Sequence, residues 1–382
     1  MRSIPAHTDE FRLLDLSPKE NNAIDWSDFL NRPALCPSAF DWSDLVAEKT
    51  ILITGAGGSL GSSLALLLMD NFPESMILLD RSASNLTALH RKYESRSTIF
   101  PEIVFMQGDI RDEELLAEIF FKHRPDIVFH AAALKHLVPL ESDPFTALQT
   151  NVFGTIALLQ MMNCCQVEHF INISTDKAVN PTSVLGVSKR ITELILLAGN
   201  SMDPKLLSLR LGNVLESSGS VVPAFLQSLE NQSPMIITDP QASRYFLSMK
   251  EAAMLMIGSL GIRETSVLLP ELGSPRKIVD LADFLAAKLR RNPGDQPIFV
   301  GLRDGEKCSE DLTYDYEYLE QTPVPRIRKV GGNHVPDAGD FVENLAQLHS
   351  IVMDRDRAAL LGALLTLVPE FIPSPALLRC LD

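Results

Sequence analysis

Lys49-Thr-Ile-Leu-Ile-Thr-Gly55-Ala-Gly-Gly58-Ser-Leu-Gly61 is the stretch on which the fold turns. A short apolar run rich in β-branched residues ends in a glycine turn, and an apolar helical pattern follows through Leu64–Met69. Each glycine has a physical task. Gly55 permits the tight turn, Gly58 lets backbone approach a pyrophosphate, and Gly61 lets the helix pack closely on the strand. Ser59 and Leu60 open that helix, whose N-terminus favours phosphate charge. A bare glycine turn is the competing reading. Against it stands a second strand, Ser75–Asp80, whose terminal acid falls about 20 residues on, where a ribose hydroxyl ligand is expected. Asp80 favours NAD, because a carboxylate repels the 2′-phosphate of NADP; Arg81 beside it is the one residue that could receive such a phosphate.

Working outward, Ile103–Asp109 reads as a third strand, placing Asp109 and Ile110 against an adenine. Asp109 could equally cap the helix predicted over Glu113–Phe121. Asp126–Ala133 is a fourth strand. Ala131, Ala132 and Ala133 are small enough for backbone to run against the cofactor, and Lys135 and His136 follow at the edge where open α/β sheets bind ligands. Those two are read either as substrate contacts or as solvated loop residues. A long apolar helix is predicted from Thr150 through Cys165, with Asn151 needing buried partners. His169–Ser174 is a fifth strand and delivers Thr175, Asp176 and Lys177 to its end. Twelve residues later Lys189 opens a helix. Leu207–Val214 is a sixth strand, with Asn213 at its C-terminal edge. Short apolar strands alternating with helices through residue 215 predict a doubly wound parallel sheet, a Rossmann-type α/β fold.

The texture changes at Glu216, where Ser217-Ser-Gly-Ser220 is followed by scattered prolines and short mixed elements. The division read from this is an N-terminal arm (1–46), a cofactor-binding domain (47–215), a smaller substrate-binding lid (216–330) and a C-terminal helical segment (331–382). An exchange of elements between lid and sheet is left open. Arg244, Arg303 and Glu306 lie in the lid. Guanidinium forks suit a diphosphate, although arginines in such places are commonly surface charges. Asp340–Leu367 reads as two amphipathic helices.

The formal charge of −15 argues against a nucleic-acid partner. The five cysteines form no C-x-x-C pair and no His/Cys cluster, so no metal site is expected; adjacent Cys164 and Cys165 read as core thiols of a reducing cytoplasm. No apolar run reaches the ~18 residues a membrane span requires.

Six segments in this order carry a resemblance: Thr54–Gly61, His130–His136, Ser174–Thr182, Arg210–Pro223, Arg244-Tyr-Phe246 and Gly301–Lys307. Together, over residues 26–372, they resemble the UDP-N-acetylglucosamine 4,6-dehydratases, the polysaccharide-biosynthesis branch of the extended short-chain dehydrogenase/reductase superfamily. Asp28–Arg32 resembles the segment that joins membrane helices to the catalytic domain in many relatives, so the resemblance implies a soluble, trimmed, cytoplasmic version. It also implies a homo-oligomer and a UDP-sugar substrate. The implied reaction is an internal redox dehydration, in which NAD takes a hydride from C4 of the sugar, the C5 proton is removed, water leaves from C6, and the hydride returns to C6. By the same resemblance Lys177 is the C5 base, Asp176 the acid at the C6 hydroxyl, Thr175 the group orienting O4, and Lys189 the ligand of the nicotinamide ribose. A desolvated Lys177 is expected to lose its proton readily, and Asp176 to be kept neutral by its surroundings.

One departure matters. The superfamily tyrosine four residues before the lysine is Leu185 here, which transfers no proton. Membrane-anchored relatives also lack the tyrosine, and Asp176 is then expected to serve twice. The pattern counts against a simple 4-epimerase and points to retention at C5. A C5-epimerase, a dehydratase of another nucleotide sugar, and a cofactor-binding protein without turnover are the competing readings.

Overall fold

The computed structural model describes residues 24–35, 42–71, 73–95, 101–162, 165–199, 204–289, 296–332 and 338–381. Much of the arm (1–23 and 36–41) and Cys164 lie outside them. Nine strands form one sheet: β1 (Thr50–Thr54), β2 (Ser75–Asp80), β3 (Glu102–Gln107), β4 (Ile127–His130), β5 (His169–Thr175), β6 (Lys205–Leu211), β7 (Ser266–Pro270), β8 (Tyr318–Gln321) and β9 (Ile327–Gly331). Their order across the sheet is β8-β9-β7-β6-β5-β4-β1-β2-β3. β1 to β7 are mutually parallel, while β9 and β8 close one edge antiparallel. The run 3-2-1-4-5-6 is the order of dinucleotide-binding sheets, and its switch point falls between β1 and β4.

The central strands are apolar runs because helices cover both faces. The helices are α1 (Ser59–Met69), α2 (Ala83–Glu94), α3 (Glu113–His123), α4 (Gly154–Met162) and α5 (Val184–Ala198). One core layer joins Ile51, Ile53, Leu64, Leu68 and Phe129; the other joins Leu52, Ile77, Leu116, Val128, Leu158 and Phe170.

Three differences from the sequence reading have local causes. The strand predicted over 207–214 breaks after Leu211, and Asn213–Val214 pairs instead with Phe246–Leu247. A Cβ at Gly212 would lie 2.4 Å from the Tyr245 carbonyl oxygen, so only glycine fits this crossing. The helix predicted from Thr150 is a π-turn over Gln149–Phe153 followed by α4. Lys189 does not open a helix, because α5 starts five residues earlier, where Ser183 Oγ accepts the Gly186 N–H and caps it.

Residues after 216 return to the sheet as β7, β8 and β9, and α7 (Met249–Gly258) packs against α1. The remainder of the lid, α6 (Val221–Glu230) and α8 (Ile278–Lys288), shares a small core with Trp26, Phe29 and Leu30 of the arm. Arg32 fastens the arm by pairing with Glu251 and donating to the Leu272 and Phe246 carbonyls. The two helices read in the tail are α9 (Ala338–Asp354) and α10 (Arg357–Leu367), which cover the outer face of α5.

Candidate active site

Gly55 adopts φ +70°, and a Cβ there would meet Ala132 N at 2.6 Å. The β1 turn therefore lies directly against Ala131–Ala132 of the segment after β4. A Cβ on Gly61 would come to 2.2 Å from the Gly55 oxygen. Asp80 ends β2 with both carboxylate oxygens engaged, Oδ2 accepting the Gly57 N–H (2.9 Å) and Oδ1 the Ser82 N–H (2.8 Å). A cleft of ≈ 270 Å³ opens here, lined by Gly55, Gly58, Asp80, Arg81, Asp109, Ile110 and Ala131–Ala133. The open N–H groups of the first turn of α1, the small residues and the terminal acid fit the adenosine and pyrophosphate of a dinucleotide. Asp109 does not cap the following helix. Asp112 does, accepting the Leu115 N–H, while Asp109 binds the Arg111 guanidinium. Gly61→Ala forces the turn and α1 apart; it is expected to cost about 1–3 kcal/mol of stability and to abolish dinucleotide binding, as read by chemical denaturation and calorimetric titration.

The switch point is held by a buried polar pin. His130 Nδ1 lies 2.7 Å from Thr54 Oγ1, and Nε2 lies 2.9 Å from Thr155 Oγ1. Thr155 donates its own proton to the Asn151 carbonyl, so it accepts from Nε2–H, which fixes the tautomer. Burial and then Lys189 lower the His130 pKa to about 3, so the ring is neutral. Asn151 accepts the Leu134 N–H and donates to the Leu134 carbonyl and Ser188 Oγ, tying the post-β4 segment to α5.

The chemistry gathers at the C-terminal end of β5. A second cleft, ≈ 470 Å³, continues from the first past Ser59, Leu60 and Gly61. Its lining includes Lys135, His136, Thr175, Lys177, Leu185, Lys189 and Asn213. Lys189 Nζ donates to the Ile173 carbonyl at 2.7 Å, and burial lowers its pKa to about 8 against the opposing Glu193. Lys177 Nζ donates to Asp176 Oδ1 and Asn213 Oδ1, each at 3.0 Å, and lies at ion-pair distance, 3.2 Å, from Glu310 Oε1. Asp176 is fully buried and lines neither cleft. Its Oδ1 accepts from Thr175 Oγ1 (2.9 Å) as well as from Lys177, and its Oδ2 has no hydrogen-bond partner among the described residues. Thr175 and Lys177 thus stand between Asp176 and the cleft.

The protonation of this cluster matches one expectation and reverses another. Burial pushes the Asp176 pKa above the ordinary carboxylate value, beyond what Lys177 lowers it. Burial acts downward on Lys177, but the Asp176 and Glu310 carboxylates outweigh it and hold the ammonium above the ordinary lysine value. Ready proton loss by Lys177, expected from desolvation alone, is therefore wrong for the free protein, because two acids face the amine.

The lid arginines do not reach the clefts. Arg244 is buried and donates to Glu306 Oε1 (2.8 Å) and to the Ser243 and Cys308 carbonyls. Glu306 also accepts from Thr238 Oγ1 and the Arg303 N–H, while Arg303 itself is exposed. All three line neither cleft. Two contributors escaped the sequence reading. Glu310 lies three residues past Lys307, beyond the end of the Gly301–Lys307 motif. The 217–220 segment, read as loop texture, reaches back over the glycine turn: Ser218 N–H donates to Ser59 Oγ at 2.9 Å, and His136 packs on Gly219.

Comparison with known proteins agrees with this geometry. Residues 51–331 match the family model for polysaccharide biosynthesis proteins. A probable polysaccharide biosynthesis protein of Bacillus subtilis, EpsC, is 32% identical over 90% of the chain and 58% of its own length. A UDP-N-acetylglucosamine 4,6-dehydratase (inverting) of Campylobacter jejuni is 30% identical over 71% of the chain and 81% of its own length. A UDP-glucose 4-epimerase of Rickettsia canadensis is also 30% identical, over 70% and 78%. Among solved structures, Pen from Bacillus thuringiensis superposes with a TM-score of 0.68 at 25% identity, covering 76% of this chain and 91% of that one. The chain spans about half the length of the first curated relatives it matches, 58% and 49%. Among the described residues no helix is long and apolar enough to cross a membrane. With its family model matched from β1 through β9, the chain belongs to the polysaccharide biosynthesis protein family, a branch of the extended short-chain dehydrogenases/reductases.

Proposed function

We propose that the protein is a nucleotide-sugar 4,6-dehydratase acting with NAD on a UDP-N-acetylhexosamine, UDP-GlcNAc, to give the 4-keto-6-deoxy sugar. The observation that carries this reading is Thr175 and Lys177 on the lining of the larger cleft, both hydrogen-bonded to the buried Asp176, with Lys189 lining the same cleft and Leu185 where a proton-transferring tyrosine would stand. Asp80 at the end of β2 favours NAD over NADP. Gly55, Gly58, Ser59, Leu60, Gly61, Asp109, Ile110, Ala131, Ala132 and Ala133 would hold the dinucleotide, with Lys189 on the nicotinamide ribose. Lys135, His136 and Asn213 would face the sugar nucleotide.

Bound NAD supplies a hydride acceptor at C4 that returns the hydride at C6, and its cationic ring favours proton loss from the neighbouring lysines. The residues handle the protons. Asp176, as carboxylate, takes the O4 proton through Thr175 Oγ1, its hydrogen-bonded link to the cleft. Lys177, as amine, takes the C5 proton that the 4-keto group acidifies. Asp176 then passes its proton to O6 as water departs, and Lys177 returns its proton to C5. Each group ends as it began. Because Lys177 returns the proton from the side on which it removed it, C5 configuration is retained. Both groups must shed a proton to enter this cycle, so kcat/KM is expected to rise with pH across the neutral range, checked by a pH–rate profile.

A 4-epimerase is the second reading, favoured by the epimerase relative at equal identity. Leu185 counts against it, since it stands where the tyrosine that deprotonates O4 in a simple 4-epimerase would be. Mass spectrometry of the product from UDP-GlcNAc and NAD⁺ separates the two. The dehydratase gives a sugar nucleotide lighter by one water, and a product of unchanged mass would overturn the proposal.

A further inference from the structure

Glu310 is a buried carboxylate with no part in the steps above. Its Oε1 lies 3.2 Å from Lys177 Nζ. Its Oε2 is within ion-pair distance of Lys307 Nζ (3.1 Å), though outside hydrogen-bond geometry, and Arg244 Nε is 3.9 Å from Oε1. The loop that carries it is fixed from several sides. Asn180 donates to Asp311, Tyr314 OH donates to the Ala178 carbonyl, and the buried Arg210 donates to the Leu312 carbonyl. Glu310 is thus presented to Lys177 by a rigid frame.

We propose that Glu310 is the positioning residue that serves as the standing counter-ion of Lys177 and thereby leaves Asp176 free to carry a proton. The inference rests on the dehydratase reading for its kinetic consequence and on geometry alone for its electrostatic one. Two carboxylates, Asp176 and Glu310, share one ammonium. Glu310 has two further cations, Lys307 and Arg244, whereas Asp176 has only Lys177 and the Thr175 hydroxyl. The charged form therefore settles on Glu310. The other groups around Asp176 are committed elsewhere: Lys189 to the Ile173 carbonyl, Glu193 to Ser174 and Arg210, Glu306 to Arg244, while Asn213 is neutral. In the cycle, Lys177 carries the C5 proton at the moment Asp176 holds the O4 proton. Glu310 is then the ionised carboxylate facing the ammonium. Without it, Asp176 would be held ionised as the counter-ion and would neither take the O4 proton nor keep it for O6.

The test uses infrared difference spectroscopy of the full chain, with the band of Asp176 identified by its loss in Asp176→Asn. At neutral pH the free protein is expected to show a protonated Asp176 carboxyl, and Glu310→Gln is expected to lose that band. In turnover, Glu310→Gln should lower kcat on the order of 10²-fold with KM for UDP-GlcNAc little changed. Its rising pH limb should move to lower pH, because a negative charge beside Lys177 is gone. Glu310→Asp should recover part of both. A protonated Asp176 band that persists in Glu310→Gln overturns the proposal, as does a loss of kcat with an unmoved pH limb. Absence of turnover in the wild type would sink the dehydratase reading while leaving the infrared result to decide this one.

Discussion

Asp176→Asn is expected to lower kcat by about 10²–10⁴-fold, the range over which a positioned acid–base group acts, while dinucleotide binding and folding survive. The side chain is fully buried, so amide for carboxyl is nearly isosteric, and Thr175 and Lys177 keep an oxygen at the Oδ1 position. What disappears is the only group in this cluster linked to the cleft hydroxyl of Thr175 that can both accept and give a proton. The stability sign is opposite to that of an ordinary salt-bridged acid. A carboxyl whose folded pKa lies above its ordinary value of 3.8 destabilises the fold as pH rises from 3.8 through the raised value, because the unfolded chain ionises first. The asparagine does not titrate, so at neutral pH the variant should be as stable as the wild type or more so. Denaturation curves beside turnover assays check both halves. A variant that loses activity through unfolding would contradict the assignment.

The largest stability effect is expected at Arg210. Its side chain is fully buried on β6 and makes paired hydrogen bonds to two fully buried glutamates, Glu193 at 2.9 and 2.8 Å and Glu317 at 2.7 and 2.9 Å. Glu193 also accepts from Ser174, the residue before Thr175, and Arg190 lies 3.1 Å from Glu193 over the ring of Tyr314. Removing one member of such a cluster strands opposite charges in the interior, a loss of about 3–5 kcal/mol. That is a large part of the roughly 5–15 kcal/mol that holds a typical domain together. Arg210→Met should therefore fall by this amount in urea unfolding. Replacing Arg210, Glu193, Glu317 and the buried Arg190 that pairs with both glutamates by apolar residues of similar volume should recover much of the stability. It should not restore turnover, because the frame that seats Ser174 and the Glu310 loop is lost.

The parts of this molecule that were legible in its sequence are those written by local rules. β1, β2, β4 and β5 read correctly because strands covered on both faces must be continuous apolar runs, whereas β6 was read past its end at Leu211 because the crossing at Gly212 is set by distant chain. The glycine turn read correctly because Gly61 answers a contact within its own βα unit, the Gly55 carbonyl oxygen, whereas the contact of Gly55 with Ala131 and Ala132 lies on distant chain. Thr175, Asp176 and Lys177 were placed because they close β5. What stayed hidden depends on distant chain. Glu310 meets Lys177 from 133 positions away, and after Asp176 it is the second carboxylate that reverses the proton affinity burial alone predicts for that lysine. Whether Arg244 faces a diphosphate or Glu306 is decided by tertiary packing that its own neighbours do not encode.

The central claim is that Asp176 and Lys177 dehydrate a UDP-sugar through loss of its C5 proton. Proton NMR of the protein with UDP-GlcNAc and catalytic NAD⁺ in deuterated water tests it most directly. The account predicts a new C6 methyl signal, deuterium at C5, couplings of the retained configuration, and loss of all three in Lys177→Met. A methyl-bearing product whose C5 keeps its original proton, or one formed undiminished by Lys177→Met, would contradict it.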